Sequence, residues 1–205
     1  MHPLRVFDEA PLDHILPANL PEALGVRDLG LAAKLASSRL LRSEVNQRIL
    51  IRLPAAPKTL SPASAAFFAN LVMESAESLA RLCRVTAVLI NHKSILATTS
   101  GAVLTEIAAW CGDQALILEL PDIRFPAFEA LQVLNHASAE ALESYSLNVR
   151  GRLIGVLPPA YRARLKLRLA PEDFPEPLAF APGDPDEGCF LRYVALAREH
   201  CNAKG

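Results

Sequence analysis

Proline placement constrains this chain more than any other feature. The sequence holds 16 prolines, yet none falls between Ala63 and Leu120. Two further windows, Glu22 to Leu53 and Ala127 to Leu157, also lack it. Proline has no backbone N–H, and its ring clashes with the preceding helical turn, so it is excluded from helix interiors. Proline-free blocks bounded by prolines therefore predict helices joined by rigid loops. Ser61-Pro62 opens the longest block with a favoured N-cap followed by proline at the first helical position. Phe68, Leu71, Val72, Ser75, Leu79, Cys83, Thr86 and Ile90 then recur at spacings of three and four. That stripe predicts one long amphipathic helix ending at Asn91-His92.

The same reasoning places other helices. Ser100-Gly101 opens one with Val103, Leu104, Ile107, Ala108 and Cys111 on one face and Gly112 as its C-terminal glycine cap. Asp113 to Leu120 reads as a short helix. A long helix starts near Ser138, with Glu140 and Glu143 where the helix dipole favours acids. Its apolar side is Leu142, Tyr145, Val149, Leu153 and Val156, and Gly151 and Gly155 predict close approach of another helix. Asp28 caps a helix through "LGLAAKLASSRLLRSEV". "RILIRLP" and "RLKLRLAP" alternate aliphatic and basic residues; they read as helix ends stopped by proline, or as a minor short β-ribbon. Residues 171–188, rich in Pro, Gly, Asp and Glu, read as a loop before a last helix in which Phe190, Tyr193, Val194 and Ala197 face inward. The expected class is mostly α: one compact multi-helix domain, residues 1–205, with Pro-rich loops.

Hydrophobic residues make up 51% and charged residues 21%, as in an ordinary globular chain, and the net charge is −1. A membrane span needs about 20 apolar residues, and the apolar runs here are far shorter. The first residues, "MHPLRVFDEAPLDH", carry acids and prolines where a signal peptide has its apolar stretch. The expected location is cytoplasmic, without membrane insertion. Cys83, Cys111, Cys189 and Cys201 have no C-x-x-C spacing and read as buried or idle thiols. His2, His14, His92, His136 and His200 have no metal-pair spacing, and His200-Cys201 reads as a frayed tail. No phosphate-binding glycine motif or nucleophile elbow occurs. No active site or cofactor is expected.

"LPPAYRARLKLRLAPEDFPEP" raises the remaining question. From Arg152 to Ala170 there are five cations and no acid; from Pro171 to Glu187 there are six acids and no cation. The reversal disfavours a nucleic-acid arm, because the neighbouring acids repel phosphates, and no aromatic residues interleave for base stacking. A solvated face with local salt bridges is the plain reading; a protein-docking patch made by Arg162, Arg164, Lys166 and Arg168 is the functional one. Trp110, the only tryptophan, reads as core or as an interface anchor.

Three segments carry a family resemblance: "HPLRVFDEAPLDHILPANLPEAL", "ESLARLCRVTAVLINHKSILATTSGAVLTEIAAWCGDQALILEL" with its Gly112-Asp113 pair, and "LIGVLPPAYRARLKLRLAP". In these the chain resembles the SctK group of type III secretion accessory proteins (YscK, PscK, MxiK and OrgA). The resemblance implies a non-catalytic cytoplasmic adaptor, peripheral to the inner-membrane apparatus. It would link the cytoplasmic domain of the inner-membrane ring protein to the C-ring-like sorting-platform protein, with the ATPase regulator behind it. It implies no cofactor and no nucleic acid. The alternative is a small helical DNA-binding or regulatory protein reading DNA with "SSRLLRSEVNQRILIR", through Arg39, Arg42, Gln47 and Arg48; a third reading is an enzyme with a site assembled from scattered residues.

Overall fold

The computed structural model describes residues 4–57, 59–120, 134–181 and 183–203; His2 and Lys58 lie outside them. Within them the chain is helical, with no strand. The helices are α1 (Arg5–Glu9), α2 (Leu20–Leu24), α3 (Leu29–Ser37), α4 (Arg42–Arg52), α5 (Pro62–Met73), α6 (Ala76–Ile90), α7 (His92–Leu96), α8 (Gly101–Cys111), α9 (Gln114–Glu119), α10 (Ala139–Val156), α11 (Pro159–Arg168) and α12 (Pro185–Ala203). Where the sequence reads as one domain, the contacts divide into two compact units. The first is Met1–Ala76 with Leu157–Pro175, and the second is Glu77–Val156 with Glu176–Gly205.

The first unit holds α1 to α5 and α11. Its core is Phe7, Ile15, Leu20, Leu24, Val45 and Ile49, joined by Leu167 of α11. Tyr161 of α11 packs on Phe68 of α5 at 5.7 Å between ring centroids. Asn19, buried at the end of the 3-10 turn Pro17–Asn19, directs its amide nitrogen at the carbonyls of Lys166, Leu167 and Leu169, at 3.1, 3.1 and 2.8 Å. A side chain thus satisfies the terminal carbonyls of α11, which a helix end leaves without partners. "RLKLRLAP" and "RILIRLP" are helix ends, at α11 and α4, and no ribbon forms.

One helix was expected from Asp28 through Val45. Asp28 does cap it, accepting from Leu31 N at 2.6 Å, but α3 stops at Ser37 and α4 starts at Arg42. The reason is tertiary: α3 and α4 pack on each other and both pack on α2. A straight helix cannot bring its two halves onto one five-residue neighbour.

The expected long helix from Pro62 to Ile90 is likewise two. Ser61 caps it as predicted, accepting from Ser64 N at 3.1 Å. At Glu74 the backbone turns extended (φ −61°, ψ 150°), and Ser75, predicted inside the stripe, is exposed. Phe68, Leu71 and Val72 are buried in the first unit, whereas Leu79, Cys83, Thr86 and Ile90 are buried in the second. One proline-free run serves two cores, so it breaks between them.

The second unit contains α6 to α10 and α12. Ser100 and Gly112 bound α8 as predicted, with Gly112 in the left-handed region at φ 73°. Asn91, completely buried, bonds Ala87 O at 2.9 Å and accepts from Leu134 N at 2.8 Å. α6 ends before it as expected, but α7 follows at once. Along α10, Leu142, Tyr145, Val149 and Leu153 are buried as predicted. The close neighbour of Gly151 and Gly155 is a loop segment, not a helix: Leu178 N donates to Gly151 O at 2.9 Å. The acidic loop is shorter than 171–188, because α12 begins at Pro185, with Asp184 accepting from Asp186 N at 2.9 Å. Phe190, Tyr193, Val194 and Ala197 are buried as predicted.

Candidate functional site

Helical geometry decides what the basic run presents. At 100° per residue, positions two apart point to opposite sides, whereas positions four apart share a face. Arg162 and Lys166 therefore share one side of α11, and Arg164 and Arg168 another. Arg164 is only 4% exposed. Its Nε and Nη2 donate to Asp8 Oδ1 at 2.9 and 2.8 Å, and its Nη1 donates to Pro54 O at 3.1 Å and Ala160 O at 2.9 Å. Its guanidinium also lies 5.8 Å from the Phe7 ring centre. Arg168 is half-buried and donates to Val72 O; burial draws its pKa below the ordinary arginine value. Arg162 donates to Leu157 O at 3.0 Å. Lys166 alone of the four is exposed, and it pairs with Glu22 at 2.7 Å. The four cations do not make one face. The ion pairs of Arg164 and Lys166 go to acids in the first 22 residues rather than to the acidic run that follows. No pattern within the run could have shown this, because the partners lie more than 140 residues away.

Trp110 is partly exposed on α8, and its indole N–H donates to Glu143 Oε2 at 2.7 Å. It belongs to the second unit and the α11 cations to the first.

The densest exposed apolar surface is elsewhere. Among the described residues ten large apolar side chains are exposed, and five of them fall between Leu29 and Ile51. Leu40 is 92% exposed and Ile51 82%. A groove of about 550 Å³ lies here, lined by Val26, Leu35, Leu41, Ile51, Arg48 and Arg52 among others, with buried Leu24 and Val45 also in its wall. Sequence reasoning singled out this segment for its cations and overlooked its leucines, which it placed inside one continuous helix. The run Leu40-Leu41 immediately before Arg42 was the available signal.

No family model, characterised protein or solved structure matches the chain.

His200 is not frayed: it lies in α12, and its Nε2 meets Asp113 Oδ2 at 2.8 Å while Nδ1 is 3.7 Å from Glu119 Oε2. Asp113 also caps α9, accepting from Leu116 N at 3.0 Å. Burial pushes the Cys83 and Cys111 thiols up to about 12, far from reactive thiolates. Among the described residues no group of three His, Cys, Asp or Glu is placed to hold a metal ion, and no helix is long and apolar enough to cross a membrane.

His92 is buried, and its Nδ1–H donates to Leu89 O at 2.9 Å. Burial lowers its pKa from the ordinary 6.5. The folded chain therefore resists protonation that the unfolded chain accepts. The contribution is absent above the unfolded value and becomes destabilising as pH falls through it. Urea midpoints are expected to fall between about pH 7 and about pH 5.5, and His92→Asn is expected to flatten that slope. An unchanged slope in the variant would rule His92 out as a source.

Proposed function

We propose that the chain is a non-catalytic cytoplasmic adaptor of a bacterial type III secretion system. It would link the cytoplasmic domain of the inner-membrane ring protein to the C-ring-like sorting-platform protein, with the ATPase regulator beyond. The observation that carries the docking part of this reading is the open groove at α3 and α4, where exposed Leu41 and Ile51 join Val26 and Leu35 in an apolar lining. An exposed apolar groove marks an interaction site, whereas isolated exposed leucines are commonplace. The secretion part rests on the three resembling segments. Two of them, around α1–α2 and α11, are built into one unit, tied by Asn19 and by the Asp8–Arg164 pair. The Gly112-Asp113 pair of the third ends α8 and caps α9.

DNA binding through α4 is disfavoured by the company its cations keep. Ile51 and Leu41 stand exposed beside Arg48 and Arg52, where a phosphate-facing helix would place polar groups.

The test is co-purification with the ring protein's cytoplasmic domain and the C-ring-like protein from one bacterium, followed by size exclusion with light scattering. A ternary peak that survives moderate salt is expected. A folded, monodisperse chain that binds neither partner would overturn the assignment.

A further inference from the structure

We infer that the α3–α4 groove is the seat of one acidic amphipathic helix of a partner protein. The inference deepens the adaptor reading and rests on it only in taking the partner to be a protein. The groove wall is apolar: Leu24, Val26, Leu35, Leu41, Val45 and Ile51. Along α4 and its N-cap the lining positions 41, 44, 45, 47, 48, 51 and 52 recur at helical spacing, so the groove follows the helix for about three turns. A partner helix fits such a groove by inserting residues at i, i+3, i+4 and i+7. No strand among the described residues offers an edge for an extended peptide. Charge then selects the partner. Residues 27–52 carry six cations and two acids in a chain whose net charge is −1. Arg48 and Arg52 line the groove and are exposed, and Arg39 is exposed in the α3–α4 connection. Arg42 is paired with Asp13, and Glu44 is the one acid in the lining. The groove is therefore apolar with basic margins, complementary to an apolar stripe flanked by Glu or Asp. Such complementarity fixes orientation and speeds association.

The full chain would be titrated into an 18-residue fluorescent peptide with leucine at the i, i+3, i+4 and i+7 positions and glutamate between them. A second peptide would carry lysine in place of glutamate. The acidic helix is expected to bind at least tenfold more tightly. Ile51→Glu and Arg52→Glu are each expected to weaken it at least tenfold, while Leu118→Glu, an equally exposed change in α9, leaves binding unchanged. Ile51 and Arg52 are surface residues, so circular dichroism melts should confirm an intact fold. Equal binding of the two peptides, or binding indifferent to Ile51→Glu, would overturn the inference. So would either of two other occupants: a dimer in light scattering that Ile51→Glu dissolves, or a 20-base-pair duplex that displaces the peptide and is sensitive to Arg52→Glu alone. The two readings fail separately. Peptide binding without co-purification leaves the groove standing and removes the secretion assignment. Co-purification that survives Ile51→Glu keeps the adaptor and removes the groove.

Discussion

Arg164→Ala is expected to cost the first unit about 3 kcal/mol, the range for breaking a buried ion pair when one partner keeps some solvent. The side chain is 5% exposed and its partner Asp8 29%. Truncation removes two bonds to Asp8 and one each to Pro54 O and Ala160 O. The carboxylate and both carbonyls then have to find water or go without, and an unpaired buried group costs more than its bond contributed. Arg164→Lys should fall between the two, because an ammonium keeps the charge but loses the forked donors that reach α1, α11 and the Pro54 carbonyl together. Urea denaturation measures the loss, and hydrogen exchange at α1 and α11 amides localises it. A solvated docking arginine would change stability by less than about 0.5 kcal/mol; that outcome would contradict the packing described.

Gly155→Ala and Gly188→Ala are expected to have opposite signs. Both positions are helical, and glycine in a helix interior is worse than alanine by about 1 kcal/mol. At Gly188, in α12, an added Cβ meets nothing within 4 Å, so the propensity gain is uncompensated and stability should rise by about 0.5–1 kcal/mol. At Gly155, in α10, the Cβ would stand 2.2 Å from Leu178 O and 2.6 Å from its carbonyl carbon. The obstacle is backbone, not the end of a flexible side chain, so the 176–179 segment must move. Its bond from Leu178 N to Gly151 O, 2.9 Å, moves with it. Overpacking costs about 1–3 kcal/mol and exceeds the propensity gain. A net loss of about 2 kcal/mol is expected, read by denaturation followed through the fluorescence of Trp110, which lies in the same unit. A stabilised Gly155→Ala protein would show that the segment does not lie on α10.

These two cases show where sequence and structure part. Gly151 and Gly155 announced a close approach four residues apart, and a close approach exists. What approaches was not legible, because a missing Cβ leaves room for any backbone, and the Leu178 segment carries no pattern that points to α10. Arg164 was legible as a cation but not as a buried one. The alternation of Arg, Leu, Lys and Leu over residues 164–167 fits a strand and a helix end equally well, and its acidic partner is far away in sequence. The Ile51 patch was missed for a related reason. An expected continuous helix put Leu40 and Leu41 on an ordinary face, and only the turn at 38–41 exposes them.

What the sequence determined by itself was local. Serine, aspartate and proline at helix starts and glycine at helix ends act within one turn, so Ser61, Asp28, Ser100 and Gly112 marked their boundaries correctly. The periodic stripes of α8, α10 and α12 marked their buried faces, because an amphipathic helix has one way to hide its apolar side. What the tertiary structure decided was where a continuous helical pattern must break. Residues 62–90 and 28–45 carry unbroken helical signals, and no residue in them forbids continuation. They break because of what each half must pack on: α5 and α6 are buried in different units, and α3 and α4 pack on each other and on the same short α2. Burial among residues distant in sequence outweighs the few tenths of a kcal/mol per residue by which local propensity would keep each helix straight.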